Sequence, residues 1–347
     1  MNIKSLLIGS AAALAAVSGA QAADAIVAAE PEPMEYVRVC DAFGTGFFYI
    51  PGTETCLKFS GYIRFQTNVG RDAASPSDWD STTRAQFNID TRTDTDLGAL
   101  RGYIGLRGNA DSGVGGATAG TSGNLGSGVF VDQAFIQLGG LTVGKVYSWW
   151  DEDLSGETDV LSSNALFNSL RYVYDAGSFW AGVSVDELEG ITVSSYNERD
   201  NNIGVALGAG AKLDSVTLQL IGSYDTDREN GAVRLMATAD VGPGTLGLAG
   251  VWASGANAYY NVSEWAVAAE YAIKATDKLK ITPGAQFFGG YGLASWDEFK
   301  DVDAWKAGVT VDYKITDGFN AKLTANYLDV DNQPEAWTGF LRLQRSF

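Results

Sequence analysis

The sequence predicts an all-β protein, a transmembrane antiparallel β-barrel of sixteen strands, and three observations lead there. From Leu57 onward apolar and polar residues alternate with period two, short turns alternate with longer polar connections, and large aromatics recur near the ends of the apolar face. Period two sends successive side chains to opposite faces of a strand. A soluble β-sandwich alternates too. Here, however, the polar face carries many Arg, Lys and Asp residues opposite a face set with large aromatics, which suits water on one side and lipid on the other.

The chain opens with "MNIKSLLIGSAAALAAVSGAQA", in which one early cation, a short apolar run and a small-residue ending read as a signal peptide, residues 1–22, cleaved after Ala22. The run is too short to span a bilayer, and no later segment offers the roughly 18 uninterrupted apolar residues of a membrane helix. Residues 23–56 form an N-terminal segment before the barrel domain, 57–347, and its first part, "ADAIVAAEPEPMEY", reads as a periplasmic tail. Cys40 and Cys56 are the only cysteines. An even count in an exported chain points to one disulfide, with two buried thiols as the alternative. Such a bridge closes a loop of about 15 residues and stabilises by roughly 3 kcal/mol.

The strands follow. In "LKFSGYIRFQTNV" Leu57, Phe59, Ile63, Phe65 and Val69 alternate with Lys58, Ser60, Tyr62, Arg64, Gln66 and Asn68. The same rule places segments at 57–70, 83–95, 99–110, 129–139, 141–149, 168–175, 178–186, 202–211, 215–225, 232–241, 244–253, 263–274, 279–290, 303–315, 319–330 and 336–347. The fourth and fifth alternate poorly in "AFIQLGGLTVGKVY". Connections after even-numbered segments are tight and carry Gly or Asp, as hairpin turns require. Those after odd-numbered segments are mostly longer, as in barrels with short periplasmic turns and long outer loops. Trp265, Tyr271, Trp305, Tyr313, Trp337 and Phe347 share the apolar parity and form two candidate aromatic girdles. The final "WTGFLRLQRSF" puts Phe347 itself in the periplasmic girdle, closing the barrel, with Arg345 on the same parity near enough to the interface to snorkel.

Composition excludes several chemistries. With no histidine, a Ser-His-Asp hydrolase and a His-ligated zinc centre are ruled out, and no enzyme, cofactor or metal is expected. A formal net charge of −18 argues against nucleic acid. The stretch "GPGTLG", residues 242–247, matches a dinucleotide fingerprint in letters only, since it bridges two strands and reads as a turn. "DTDRENG", residues 225–231, is similar to a calcium loop with its glycine one place late, and acidic outer loops are a possible home for divalent cations shared with lipopolysaccharide.

At "EYVRVCDAFGTGFFYIPGTETCLKFSGYIRFQ", residues 35–66, at "DQAFIQLGGLTVGKVYSWWD", residues 132–151, and at the "GFLRLQRSF" ending, the chain resembles the porins of alphaproteobacteria, the group that includes the rhizobial and Brucella major outer-membrane porins. The resemblance implies a homotrimeric, sixteen-stranded, water-filled general diffusion channel in the bacterial outer membrane. Small hydrophilic solutes and ions would pass it, with membrane lipid and lipopolysaccharide around it. It also implies a third long loop, residues 150–168, folded inward to form a constriction. Asp151, Glu152, Asp153, Glu157 and Asp159 would supply its acidic side. Arg64, Arg84, Arg92, Arg101 and Arg107, on the lumen parity of the first three strands, would supply a basic wall. Opposed charges would set a transverse field across the narrowest water. Arg84 and Arg107 are expected higher in the barrel, and Arg92 lower, than Arg64 and Arg101. Two alternatives are a substrate-specific channel on the same barrel and a barrel-anchored surface or structural protein.

Overall fold

A computed structural model describes residues 37–70, 78–111, 129–193 and 196–347. The signal peptide, the segment 23–36 and most of the Gly-rich connection 111–128 lie outside the described residues. The barrel unit, Val39–Phe347, contains sixteen long strands: β1 Cys56–Gly70, β2 Trp79–Thr93, β3 Leu100–Asp111, β4 Val129–Leu138, β5 Leu141–Tyr147, β6 Leu166–Asp175, β7 Phe179–Glu187 and β8 Ile203–Leu213, then β9 Val216–Asp225, β10 Asn230–Val241, β11 Gly244–Ala253, β12 Ser263–Lys274, β13 Leu279–Tyr291, β14 Ala304–Thr316, β15 Phe319–Val330 and β16 Ala336–Ser346.

Each strand pairs antiparallel with the next, and β16 pairs with β1 from Thr338↔Gly70 to Ser346↔Tyr62, so the sheet closes on itself. Closure removes the free edge and satisfies every ladder in an apolar surround. The terminal residue takes part. Phe347 N–H donates to the Gly61 carbonyl and Gly61 N–H to that of Phe347, both at 3.0 Å. Below that point the edge of β1 is taken by a two-residue strand, Phe48–Tyr49, which pairs with Leu57 and Cys56. The Cys40–Cys56 disulfide is present, with Cα atoms 6.0 Å apart and both residues buried beside Phe47.

The two faces divide as alternation predicts. Large apolar side chains stand exposed around the outside, among them Ile63, Leu207, Leu235, Val267 and Leu323. An apolar exterior of this kind is stable only against a non-aqueous medium. Trp265, Trp305 and Trp337 are exposed toward the long-loop end, while Tyr313 and Phe347 are exposed toward the short-turn end. Tyr271 is only half-exposed, and its hydroxyl donates to the Val241 carbonyl at 2.7 Å.

The poor alternation of β4 has a local cause. Its register with β3 shifts between Gly105 and Leu106, which leaves Asp132 as an extra residue. A bulge re-aims the residue it inserts, and Asp132 is thereby buried against Arg107. At the tight turn between β14 and β15, Gly318 holds φ +70°, and Asp214 holds φ +45° between β8 and β9. "GPGTLG" is a turn as well: Gly242 leads with φ +56°, and β11 begins at Gly244. The connection after β9 is shorter than the other long-end connections, spanning only 226–229.

Candidate pore constriction

The connection between β5 and β6, residues 148–165, is the site's framework. It starts with a 3-10 turn, Trp149–Asp151, whose N-cap Ser148 accepts a bond from Trp150 N–H through its hydroxyl at 3.1 Å. From there it runs along the lumen face of the barrel, tied strand by strand. Arg234 of β10, fully buried, donates to the carbonyls of Trp149 at 2.7 Å, Trp150 at 3.1 Å and Leu161 at 3.5 Å. Glu270 of β12 accepts from Ser155 N–H and hydroxyl at 2.8 and 2.7 Å and from Gly156 N–H at 2.8 Å. Thr310 of β14 accepts from Glu157 N–H at 2.9 Å, and Gln286 of β13 both accepts from and donates to the Val160 backbone.

Apolar packing completes the seat. Trp149, Trp150, Leu154 and Leu161 form one buried cluster with Ala206, Ile221, Ala249 and Ala268 of the wall. Trp149 stacks on Trp180 with ring centroids 5.4 Å apart. A Cβ at Gly210 would collide with the Trp180 indole, so glycine leaves room for that ring.

The facing wall is built differently. Four arginines on neighbouring strands each direct Nε to a neutral amide oxygen: Arg64 to Gln344 at 2.8 Å, Arg84 to Asn109 at 2.9 Å, Arg107 to Gln86 at 2.7 Å and Arg342 to Gln66 at 2.6 Å. Arg64 also lies over the Tyr62 ring and Arg342 over the Phe340 ring. Amide and aromatic braces fix a guanidinium in place without cancelling its charge. Two of the four also meet a carboxylate: Arg107 pairs with Asp132 at 2.7 Å and donates to the Tyr147 hydroxyl, and Arg342 lies 3.5 Å from Glu157.

Arg92 lies on the short-turn side of Arg64, but the heights of Arg84, Arg101 and Arg107 need correction, Arg107 standing across from Gln86 in line with Tyr62 and so not above Arg64. Arg84 stands directly across from Arg64, and Arg101 directly across from Arg92, because the register is fixed by closure and turn geometry rather than by distance along the sequence. Arg92 and Arg101 lie at the short-turn end, where both bind Asp90 at 3.1 and 2.9 Å. Eight residues separate this clamp from Arg84, roughly 26 Å along the strand. Arg92 also lies over the Phe47 ring of the disulfide-bearing segment.

The five loop acids occupy distinct environments. Glu157 reaches Lys322 at 2.7 Å and Arg342 at 3.5 Å. Glu152 accepts from the Gln219 amide. Asp159 accepts from Leu154 N–H at 3.4 Å, and burial pushes its carboxyl up to about 6 against the pull of its own backbone bond. Asp153 lies 3.8 Å from Arg234 with its side chain 47% exposed. Burial and then Asp159 push its carboxyl up to about 7. Asp151 is raised as well, again chiefly by burial. Arg342, Lys322, Arg234 and Asp132 are the contributors that sequence reasoning missed. Arg342 was marked by lumen parity in the last strand, and Asp132 by the broken alternation of the fourth.

Around the long-loop mouth the acidic motif "DTDRENG" is not open to a cation. Asp225 accepts from Asn202, Asp227, Arg228 and Ala258, and Arg228 is buried against Glu198 and the Trp296 carbonyl. Asp186 accepts from Ser169, Ser184 and the Tyr259 hydroxyl, and burial raises that hydroxyl well above its ordinary range. Among the described residues no group of acidic or sulfur side chains could hold a metal ion.

A closed sixteen-strand barrel with a loop strapped across its lumen agrees with the comparisons. A family described as "Porin subfamily" matches residues 24–341. The chain belongs to this porin family. Outer membrane protein IIIA of Rhizobium leguminosarum bv. viciae is 48% identical over 357 residues, covering 98% of this chain and 93% of the relative. Porin Omp2b of Brucella suis is 32% identical over 386 residues, covering all of both chains. Among solved structures, OmpT of Vibrio cholerae in its trimer form superposes with a TM-score of 0.61 at 15% identity, covering 85% of this chain and all of that one. A triple mutant of Rhodopseudomonas blastica porin gives 0.58 at 15%, covering 84% and 100%. The molecule is accordingly an outer-membrane diffusion channel.

Proposed function

We propose that the channel passes small hydrophilic solutes and ions passively, without catalysis, through a water-filled constriction between the loop 148–165 and the arginine wall. The observation that supports this reading is a loop bearing five carboxylates tied to the lumen face of β12, β13 and β14, in a barrel whose β16, β1 and β2 carry guanidiniums braced by neutral amides. Polar solutes turn in such a field, whereas apolar ones must displace oriented water. Asp151, Glu152 and Asp153 supply the acidic edge, Arg64, Arg84 and Arg342 the basic one, and Glu157 ties the two together. The exposed aromatics at both ends of the strands anchor the barrel at the two membrane interfaces.

A homotrimer surrounded by lipopolysaccharide is the assembly we infer. The trimer form of a structurally similar barrel supports it. Single-channel recording of the detergent-purified protein in a planar bilayer over a salt series is the test. Openings in groups of three, with conductance proportional to bulk salt, are expected. A folded, inserted protein without conductance would sink the diffusion reading and favour a structural barrel.

A further inference from the structure

Below the constriction, on the short-turn side, the lumen wall of β13 to β16 and β1 encloses a recess of about 820 Å³. Its lining is strongly basic in a protein whose formal net charge is −18. Arg64, Lys280, Lys322 and Arg342 converge there, with three further lysines and one aspartate at its rim.

Two carboxylates are shared among those four cations. Asp312 lies 3.3 Å from Lys280 and 3.6 Å from Lys322. Glu157, arriving from the loop, lies 2.7 Å from Lys322 and 3.5 Å from Arg342. Asp312 bridges its two lysines through separate oxygens and Glu157 bridges Lys322 and Arg342 through one, so four cations share two carboxylates and positive charge remains in excess. Arg64 spends its Nε on a neutral amide, which leaves its charge intact. The cations are only partly exposed, at 32% for Lys280, 24% for Lys322 and 18% for Arg342. Partial burial strengthens their pull on an anion relative to fully solvated lysines.

We propose that this recess is a binding station for multivalent oxyanions, solutes carrying two or more phosphate or carboxylate groups, and that Glu157 is its built-in competitor. The loop's own carboxylate already demonstrates the geometry of capture, since Lys322 and Arg342 hold it as they would hold a solute carboxylate. A solute bound to Lys280, Lys322 and Arg64 meets Glu157 as a like charge across the same cations. The station therefore concentrates multivalent anions immediately below the constriction and releases them as the loop carboxylate reclaims its partners. This inference rests on the diffusion-channel reading and names a solute class for it.

The test is block of potassium chloride current by inorganic pyrophosphate, in wild type and three variants. Lys280→Met should weaken block about tenfold, and Glu157→Gln should strengthen it about threefold, on the scale of one partly buried charge contact. Asp331→Asn removes one carboxylate from an exposed connection outside the constriction and the recess and should leave block within experimental error. Opposite shifts in the first two, with no change in the third, support the station. Block unchanged by Lys280→Met and Glu157→Gln, or shifted equally by Asp331→Asn and Glu157→Gln, overturns it in favour of a diffuse field. Chloride current that pyrophosphate never blocks also overturns it. Absence of any chloride current fails the channel reading instead, so the two failures are separable.

Discussion

The two walls of the lumen meet opposite demands. On β16, β1, β2 and β3 the inward positions are Arg342, Arg64, Arg84 and Arg107, held by amides from neighbouring strands. On β8, β11 and β12 they include Gly204, Ala206, Gly208, Gly210, Ala249, Ala266 and Ala268, covered by the loop, by neighbouring loops or by Trp180 of β7. The lumen face is thus not uniformly polar. It is polar where water remains, and where another segment of the same chain takes the place of water it is small and apolar around a few polar anchors, Arg234, Glu270, Gln286 and Thr310. One wall stores charge and the other stores packing, so substitutions on the two should fail in different ways.

Releasing the loop should have the largest effect. Arg234→Met leaves three loop carbonyls without their buried donor and should cost on the order of 3 kcal/mol. Limited proteolysis should then cut within 150–165, and single-channel current should become larger and noisier. A resistant loop with unchanged current would mean that packing alone seats it.

A matched pair sharpens the contrast. Gly210→Ala drives a methyl into Trp180 and should lower thermal stability by about 1–3 kcal/mol, with ion selectivity unchanged. Arg84→Gln should do the reverse, shifting selectivity toward cations with a stability change inside about 0.5 kcal/mol. Equal effects of both on both readouts would erase the distinction between the walls.

Glu270→Gln keeps the shape of the loop's central anchor but weakens three charge-assisted bonds. A loss of about 1–2 kcal/mol in thermal unfolding, with partial proteolysis of the loop, is expected. The smallest effect is pH-dependent. Asp153 and Asp159, raised to about 7 and about 6, are charged at pH 8 and progressively neutral toward pH 5. Cation preference should therefore decline as pH falls through that window, and Asp153→Asn should flatten the decline. A flat wild-type profile from pH 8 to 5 would show both carboxyls titrating in the ordinary range.

Much of the barrel was legible in the sequence because alternation is local. All sixteen strands lie where period two put them, with ends shifted by up to four residues: β2 starts at Trp79 rather than 83, and β10 at Asn230 rather than 232. The two weakest segments are irregular for identifiable reasons, the Asp132 bulge in β4 and the φ of +128° at Gly144 in β5. The inward loop followed from family resemblance, not from pattern. What could not be read were the partners. Arg64 meets Gln344 across a separation of 280 residues and Arg342 meets Gln66 across 276, contacts created only when the last strand closes on the first. The Gly and Ala inward positions of β8 and β12 keep period two while giving no sign of what covers them.

The most direct test of the opposed walls is the reversal potential in a potassium chloride gradient at neutral pH, for wild type and two triple variants. Replacing Arg64, Arg84 and Arg342 with Gln should move it toward the potassium potential, and replacing Asp151, Glu152 and Asp153 with their amides should move it toward the chloride potential. Open channels in which both variants shift the same way, or neither shifts, would contradict the account.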